Sequence, residues 1–332
     1  MENLPFRTRA AAARHAVAAL RRAARICRSV GADLERTGAR AKDDRSPVTL
    51  ADYASQAVIC ATLAEVFPAD AVVAEESSRA LREASASSLT GRLVDLVAGE
   101  MGAGTGLDRV LAWIDHGDGR AVSPGRFWTL DPIDGTKGFL RGGHYAIALG
   151  LIEDGRVVFG ALACPRLDGA TGEGVLLLAS RGEGAFELPL FDEGPPRPVS
   201  VSSCRVPAEA RLCESVERAH SHHDHAARVA RAMGLGGPSV RLDSQAKYAA
   251  VARGDAEIYL RLPTRADYRE RIWDHAAGML VVEEAGGRVS DVAGRPLDFG
   301  RGRTLDGNRG VVATCGAFHD ALIETLVRVL DA

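Results

Sequence analysis

The chain has none of the devices that hold small or secreted folds together. Its six cysteines, Cys27, Cys60, Cys164, Cys204, Cys213 and Cys315, form no C-x-x-C pair, and no His/Cys cluster has zinc-finger spacing. Reduced thiols in a cytoplasmic protein are the expectation. No apolar run approaches the length needed to span a bilayer, so no membrane partner is expected. An excess of basic charge is missing too. The formal net charge is -3, which gives no global attraction for nucleic acid. Any anionic ligand must be drawn by a local site, where bound cations can supply the positive charge. There is no internal repeat, and no protein partner is implied. What remains is ordinary for a globular chain: 332 residues, 46% hydrophobic and 26% charged, long enough for one large or two moderate domains.

Residues 7–30 are rich in Arg and Ala and poor in acids, as an organelle address would be. Val17, Leu20, Ala24, Cys27 and Val30 nevertheless recur at helical spacing, which predicts an amphipathic first helix of the folded domain. A polar loop over 37–47 precedes a second helix from Val48 to Phe67, then a short strand over 71–74 that ends at Glu75-Glu76. Residues 127–130 read as a strand leading into Asp131, and 145–163 as a hairpin, with further strands near 174–179 and 184–188. Beyond the Pro-rich stretch 194–198, strands and helices alternate to the end. The pattern predicts an α+β half, residues 1–196, and an α/β half, residues 197–332.

Asp131 and Asp134 stand three apart in Asp131-Pro132-Ile133-Asp134-Gly135-Thr136. A strand ending at Asp131, with a proline turn behind it, would point two carboxylates and the Ile133 carbonyl into one pocket. These are hard oxygen donors of the kind Mg²⁺ accepts. Residues 135–138 predict a turn or short helix start that suits a phosphate. The segment 131–136 alone could instead form an Asx-type turn with an N-capping aspartate. Other acids carry similar alternatives: Glu75-Glu76 as a solvated pair, Asp274 as a helix N-cap, Asp52 as a helix-start acid.

Taken together, S-P-V-T-x-x-D-Y-A at Ser46, V-x-x-E-E-S-S before Glu75, D-P-I-D-G-T-K-G-F-L-R-G at Asp131 and I-W-D-H-A-A-G around Asp274 decide between them. The set resembles the lithium-sensitive, Mg²⁺-dependent phosphatase superfamily of inositol monophosphatase, inositol polyphosphate 1-phosphatase and the bisphosphate nucleotidases. The resemblance implies a layered α-β-α-β-α sandwich of the α/β class and two or three Mg²⁺ ions. Glu75, Asp131 and the Ile133 carbonyl would hold the first ion, and Asp131, Asp134 and Asp274 the second. Thr136 and Asp52 would orient and deprotonate the attacking water, in a direct in-line hydrolysis with no covalent intermediate.

Several stretches resemble the nucleotidase branch in particular: Lys137 to Gly142, Glu214-Ser215-Val216-Glu217 with His220-Ser221-His222-His223-Asp224, Asp243-Ser244-Gln245-Ala246-Lys247, and Tyr259-Leu260-Arg261. That branch implies a phosphoric monoester hydrolase acting on adenosine 3′,5′-bisphosphate, or on 3′-phosphoadenosine 5′-phosphosulfate, in sulfur metabolism. Gly135, Thr136, His220, Ser244, Lys247 and Arg261 would contact the nucleotide, with His223 a competitor for the place of His220. The alternatives are an inositol polyphosphate or dual-specificity phosphatase, and a non-catalytic nucleotide sensor. A sensor should have lost a metal ligand or the Asp52–Thr136 pair, and all are present.

Overall fold

A computed structural model describes residues 4–37, 49–83, 88–121, 123–216, 223–263, 265 and 267–330. The Arg-rich start forms helix α1 (Ala10–Thr37), whose Ala13, Val17, Leu20, Ala24, Cys27 and Val30 are buried at the predicted spacing. Helix α2 (Leu50–Val66) is buried along nearly its whole length, so it reads as apolar all round rather than striped. Strand β1 (Ala71–Ala74) and helices α3 (Arg79–Glu83), α4 (Ser88–Met101) and α5 (Leu107–Asp115) follow.

Next come β2 (Arg126–Asp134), the short α6 (Thr136–Leu140), β3 (Ala146–Glu153), β4 (Arg156–Gly169), β5 (Gly172–Ser180), β6 (Ala185–Pro189) and β7 (Arg197–Pro198). With β1 they build a seven-stranded sheet in sequence order, β1 parallel to β2 and the remainder antiparallel. The last segment supplies β8 (Leu212–Glu214), α7 (His223–Met233), β9 (Val240–Arg241), α8 (Ala246–Ala252), β10 (Ile258–Arg261), α9 (Ala276–Glu284), β11 (Arg288–Ser290), β12 (Val311–Thr314) and α10 (His319–Leu330). Its five-stranded sheet runs β11-β12-β10-β8-β9.

Three apolar clusters show how these pieces stack. Strand side chains alternate between faces. Leu176 and Leu178 of β5 thus join α1 and α2 on one side of the large sheet. Val175, Leu177 and Ala179 join α8 and α9 on the other. That second cluster also takes Tyr259 and Ala313 from the smaller sheet, so α8 and α9 lie between the two sheets. Ile258, Leu260 and Val312 face the opposite way, against α7 and α10. The order is α-β-α-β-α, as the resemblance implied. Both sheets are buried on both faces, which is why strands such as β5 read as continuous apolar runs. Among the described residues no helix is long and apolar enough to cross a membrane.

Candidate active site

The motif at Asp131 is a bulge within a strand rather than a turn after one. β2 continues through Asp134: Asp131 pairs with Ala148 and Asp134 with Ala146, so one extra residue is accommodated between them. The expectation that the strand ends at Asp131 is corrected on this point. Proline has no N–H to donate, and at a bulge none is needed. Ser55 of α2 secures the bulge by donating to the Pro132 carbonyl at 2.9 Å, and the Ile133 N–H donates to Asp131 Oδ1 at 3.1 Å. Glycine is required at two positions behind it. Gly135 has φ +87°, and a Cβ there would stand 2.9 Å from that of Ser244. A Cβ on Gly138 would come within 2.3 Å of the His144 carbonyl.

Two glutamines that the sequence reading gave no role, Gln245 among them although it lies inside the Asp243–Lys247 stretch, hold the other acids in place. Gln56 of α2 accepts from the Glu76 N–H at 3.0 Å and donates to the carbonyls of Glu76 at 2.7 Å and Ile114 at 2.9 Å. This clamp splits the Glu75-Glu76 pair: Glu75 lines the cleft, whereas Glu76 is buried. Gln245 spans the far wall. Its N–H donates to Asp134 Oδ2 at 2.7 Å, and its side-chain amide bonds the Trp273 carbonyl at 3.0 Å and the Gly278 N–H at 3.3 Å. One residue thereby fixes Asp134 and the backbone on both sides of Asp274, which ends a 3-10 turn (Ile272–Asp274) ahead of α9.

Glu75, Asp131, Ile133, Asp134, Gly135, Thr136, Ser244, Lys247, Arg261 and Asp274 line a single cleft of about 230 Å³. Its carboxyl groups sit close enough to oppose one another's ionisation. Asp131 is held well above its ordinary pKa by burial, then by Glu75, Asp134 and Asp274. Glu75 reaches solvent but is enclosed by the cleft walls; that enclosure, with Asp274, Glu76 and Asp52, raises it to about 9. Asp274 is pushed to about 6 by burial, with Arg261 pulling the other way. Four carboxylates and the Ile133 carbonyl are a donor set for hard divalent cations, whose charge would relieve this repulsion. The residues present fit the metal ions that the resemblance implies.

Asp52 serves two partners at once. As the capping-box acid of α2, its Oδ2 accepts from the Thr49 N–H at 2.7 Å and the Thr49 hydroxyl at 2.5 Å. Its Oδ1 faces the Thr136 hydroxyl at 3.5 Å, and that hydroxyl also lies 3.2 Å from the Ile133 carbonyl. Burial raises Asp52 to about 6, against the lowering effect of the Thr49 bonds. The helix-start reading describes one oxygen of this carboxylate, and the other faces Thr136.

Cationic side chains line the same cleft. Lys247 is buried, with Nζ 3.4 Å from the Leu242 carbonyl and 5.3 Å over the Tyr259 ring; burial lowers its pKa. Ser244 sits at φ +66°, a strained conformation at the head of α8, and its Oγ accepts from the Ala246 N–H. Arg261 bonds Glu270, Asp274 and the Tyr268 hydroxyl. His223 opens α7, and His220 lies outside the described residues. Glu270, Asp274 and His275 also place ligand-type atoms within 4.8 Å of one another, but Arg261 already bonds two of the three.

The inositol monophosphatase family profile matches residues 6–331. The chain belongs to the inositol monophosphatase family. Within that family it is similar to a 3′(2′),5′-bisphosphate nucleotidase of Emericella nidulans, 47% identical over 320 residues that cover 88% of this chain and 91% of that protein. A 3′(2′),5′-bisphosphate nucleotidase of Schizosaccharomyces pombe is 41% identical over 95% of this chain and 94% of its own length. One from Oryza sativa is 44% identical over 97% and 94%. Among solved structures, an IMPase of Thermotoga maritima superposes with a TM-score of 0.63 at 21% identity, covering 95% of this chain and 96% of that one. The extragenic suppressor protein SuhB of Bartonella henselae gives 0.65 at 20% identity, over 96% and 98%. At those identities the structures show the family's fold alone.

Proposed function

We propose that the chain is a Mg²⁺-dependent phosphomonoesterase that removes the 3′-phosphate of adenosine 3′,5′-bisphosphate, leaving AMP and phosphate. The same site would accept 3′-phosphoadenosine 5′-phosphosulfate. The observation that carries this reading is a single cleft lined by both acids and cations. Glu75, Asp131, Asp134 and Asp274 suit metal ions and a reacting phosphate, and Lys247 and Arg261 suit a second phosphate that stays on the product. The named relatives supply the nucleoside.

Glu75, Asp131 and the Ile133 carbonyl would hold one ion, and Asp131, Asp134 and Asp274 another, with a third weaker ion near Glu75. Bound divalent ions supply the charge that makes water acidic and stabilises the departing oxygen. The protein's own part is to place a base. Thr136 orients the attacking water and passes its proton to Asp52, whose pKa near 6 leaves it ionised at neutral pH and still basic enough to accept. The water oxygen bonds to phosphorus as the bond to the 3′-oxygen breaks, and that oxygen takes a proton from solvent. Lys247, Ser244 and Arg261 hold the nucleotide so that only the 3′-phosphate lies over the acids.

Hydrolysis in ¹⁸O-water with product identification tests this reading. The expected result is AMP with one ¹⁸O in the released phosphate. Adenosine 3′-phosphate as the product, or ¹⁸O in the nucleotide, would overturn it.

A further inference from the structure

A chain of buried polar groups runs behind Arg261. The Tyr248 hydroxyl meets His275 Nδ1 at 2.7 Å, His275 Nε2 meets Glu270 Oε2 at 3.0 Å, and Glu270 Oε2 takes Arg261 Nε at 2.7 Å. Tyr248, His275 and Glu270 are each at most 3% exposed. Glu270 lines no part of the cleft; its carboxylate bonds Arg261 and His275, Arg261 joins it to Asp274, and none of the metal or proton-relay roles assigned above falls on it.

The bonds on Arg261 are unequal. Nε is held at 2.7 Å by Glu270, a carboxylate with no solvent to compete for it. Nη2 makes longer contacts on the cleft side, 3.1 Å to Asp274 and 3.3 Å to the Tyr268 hydroxyl. A guanidinium is a planar fork, so fixing Nε fixes the plane and aims the Nη edge. Asp274 belongs to the acids that suit metal ions, and a cation there would take over its charge and leave the Nη edge for a phosphate. The geometry points to Glu270 as a positioning residue: it anchors Arg261 through Nε, with His275 and Tyr248 behind it, so that the Nη edge recognises the non-reacting phosphate. This inference rests on the nucleotidase reading and deepens it. Preference for a bisphosphate over a monophosphate is set by a residue that touches neither phosphate.

The test uses the full chain with Glu270→Gln, Glu270→Asp, Arg261→Met and the double variant E270Q/R261M. Calorimetry on the Mg²⁺-loaded protein compares AMP, the product that keeps the 5′-phosphate, with adenosine, which lacks it. Kinetics with Mg²⁺ compare adenosine 3′,5′-bisphosphate with adenosine 3′-monophosphate. Glu270→Gln should weaken AMP binding by about ten-fold or more and cut the kcat/KM preference for the bisphosphate by a similar factor, as loss of a buried charge-assisted bond predicts. Glu270→Asp should recover part of both. In the Arg261→Met background the Glu270→Gln change should add nothing to either effect, because Glu270 acts through Arg261.

Should Glu270→Gln fail to fold, Tyr248→Phe removes a single hydroxyl from the far end of the chain, and a smaller loss of the same preference is expected. Equal weakening of AMP and adenosine would mark Glu270 as a general structural residue and overturn the inference. So would additivity with Arg261→Met. A wild type without preference for the bisphosphate would overturn the substrate reading and this inference together. A wild type with the preference, and a Glu270→Gln that keeps it, would overturn the role of Glu270 alone.

Discussion

Magnesium should stabilise this protein strongly at pH 8 and barely at pH 6. Glu75 is raised from 4.5 to about 9 and Asp131 is raised with it, so the metal-free cluster holds a shared proton across that range. The unfolded chain gives up such protons near the ordinary carboxylate value. These groups therefore take stability away from the metal-free fold as pH rises from there toward their folded values. A divalent ion needs the ionised form and expels the proton, so its affinity rises about ten-fold per pH unit for one proton released.

At about 100 times the pH 8 dissociation constant, one Mg²⁺ stabilises by about 2.7 kcal/mol. At pH 6 the same concentration lies near the dissociation constant and contributes about 0.4 kcal/mol. For 332 residues the unfolding entropy is about 0.7 kcal/mol/K, which gives a Tm rise of about 4 °C at pH 8 and under about 1 °C at pH 6. Scanning calorimetry with and without Mg²⁺ at the two pH values measures this directly. A Mg²⁺-induced shift equal at both, or none at either, would refute the acid cluster as a metal site.

Asp52→Asn should lower kcat by about two to four orders of magnitude. In the wild type, kcat/KM should fall as pH drops through about 6, because the base is then protonated; a profile flat to pH 5 would contradict its role. Asp134→Asn should remove at least several kcal/mol of transition-state stabilisation, read as a fall in kcat/KM at saturating Mg²⁺. Gln56→Ala leaves the Glu76 N–H and two carbonyls without their partner, so a loss of about 2–4 kcal/mol of stability and weaker Mg²⁺ binding are expected in denaturant and calorimetric titrations. Li⁺ at millimolar concentration should inhibit hydrolysis, and full activity in high Li⁺ would count against the family's chemistry here.

The parts of the site legible in the sequence were those written locally. Asp131, Asp134 and Thr136 share one short segment, and strand patterning before them announces the strand that leads into them. The bulge at Pro132 was not legible, because a proline between two aspartates fits a turn as well as an irregular strand; the pairing with Ala146 and Ala148 decides it. Gln56 gave no signal, and Gln245 stood inside the Asp243–Lys247 stretch with no role of its own. A glutamine inside or just ahead of a helix is unremarkable until its amide is found on backbone groups 20 to 58 residues away in sequence. Asp52 reads as a helix-start acid or a base, and the structure gives each of its oxygens a partner, Thr49 on one and the Thr136 hydroxyl on the other. The chain from Tyr248 through His275 to Glu270 joins residues whose contact depends on α8 packing against α9, which no spacing reveals. Strand β11 was missed because its three residues follow Gly286-Gly287, and it exists only through pairing with β12.

The most direct test of the central claim is phosphate release measured side by side from adenosine 3′,5′-bisphosphate and from inositol phosphates, in the same buffer with Mg²⁺. The account predicts faster turnover per unit substrate for the bisphosphate and none for either when Mg²⁺ is chelated. A higher kcat/KM for an inositol phosphate, or undiminished release after chelation, would contradict it.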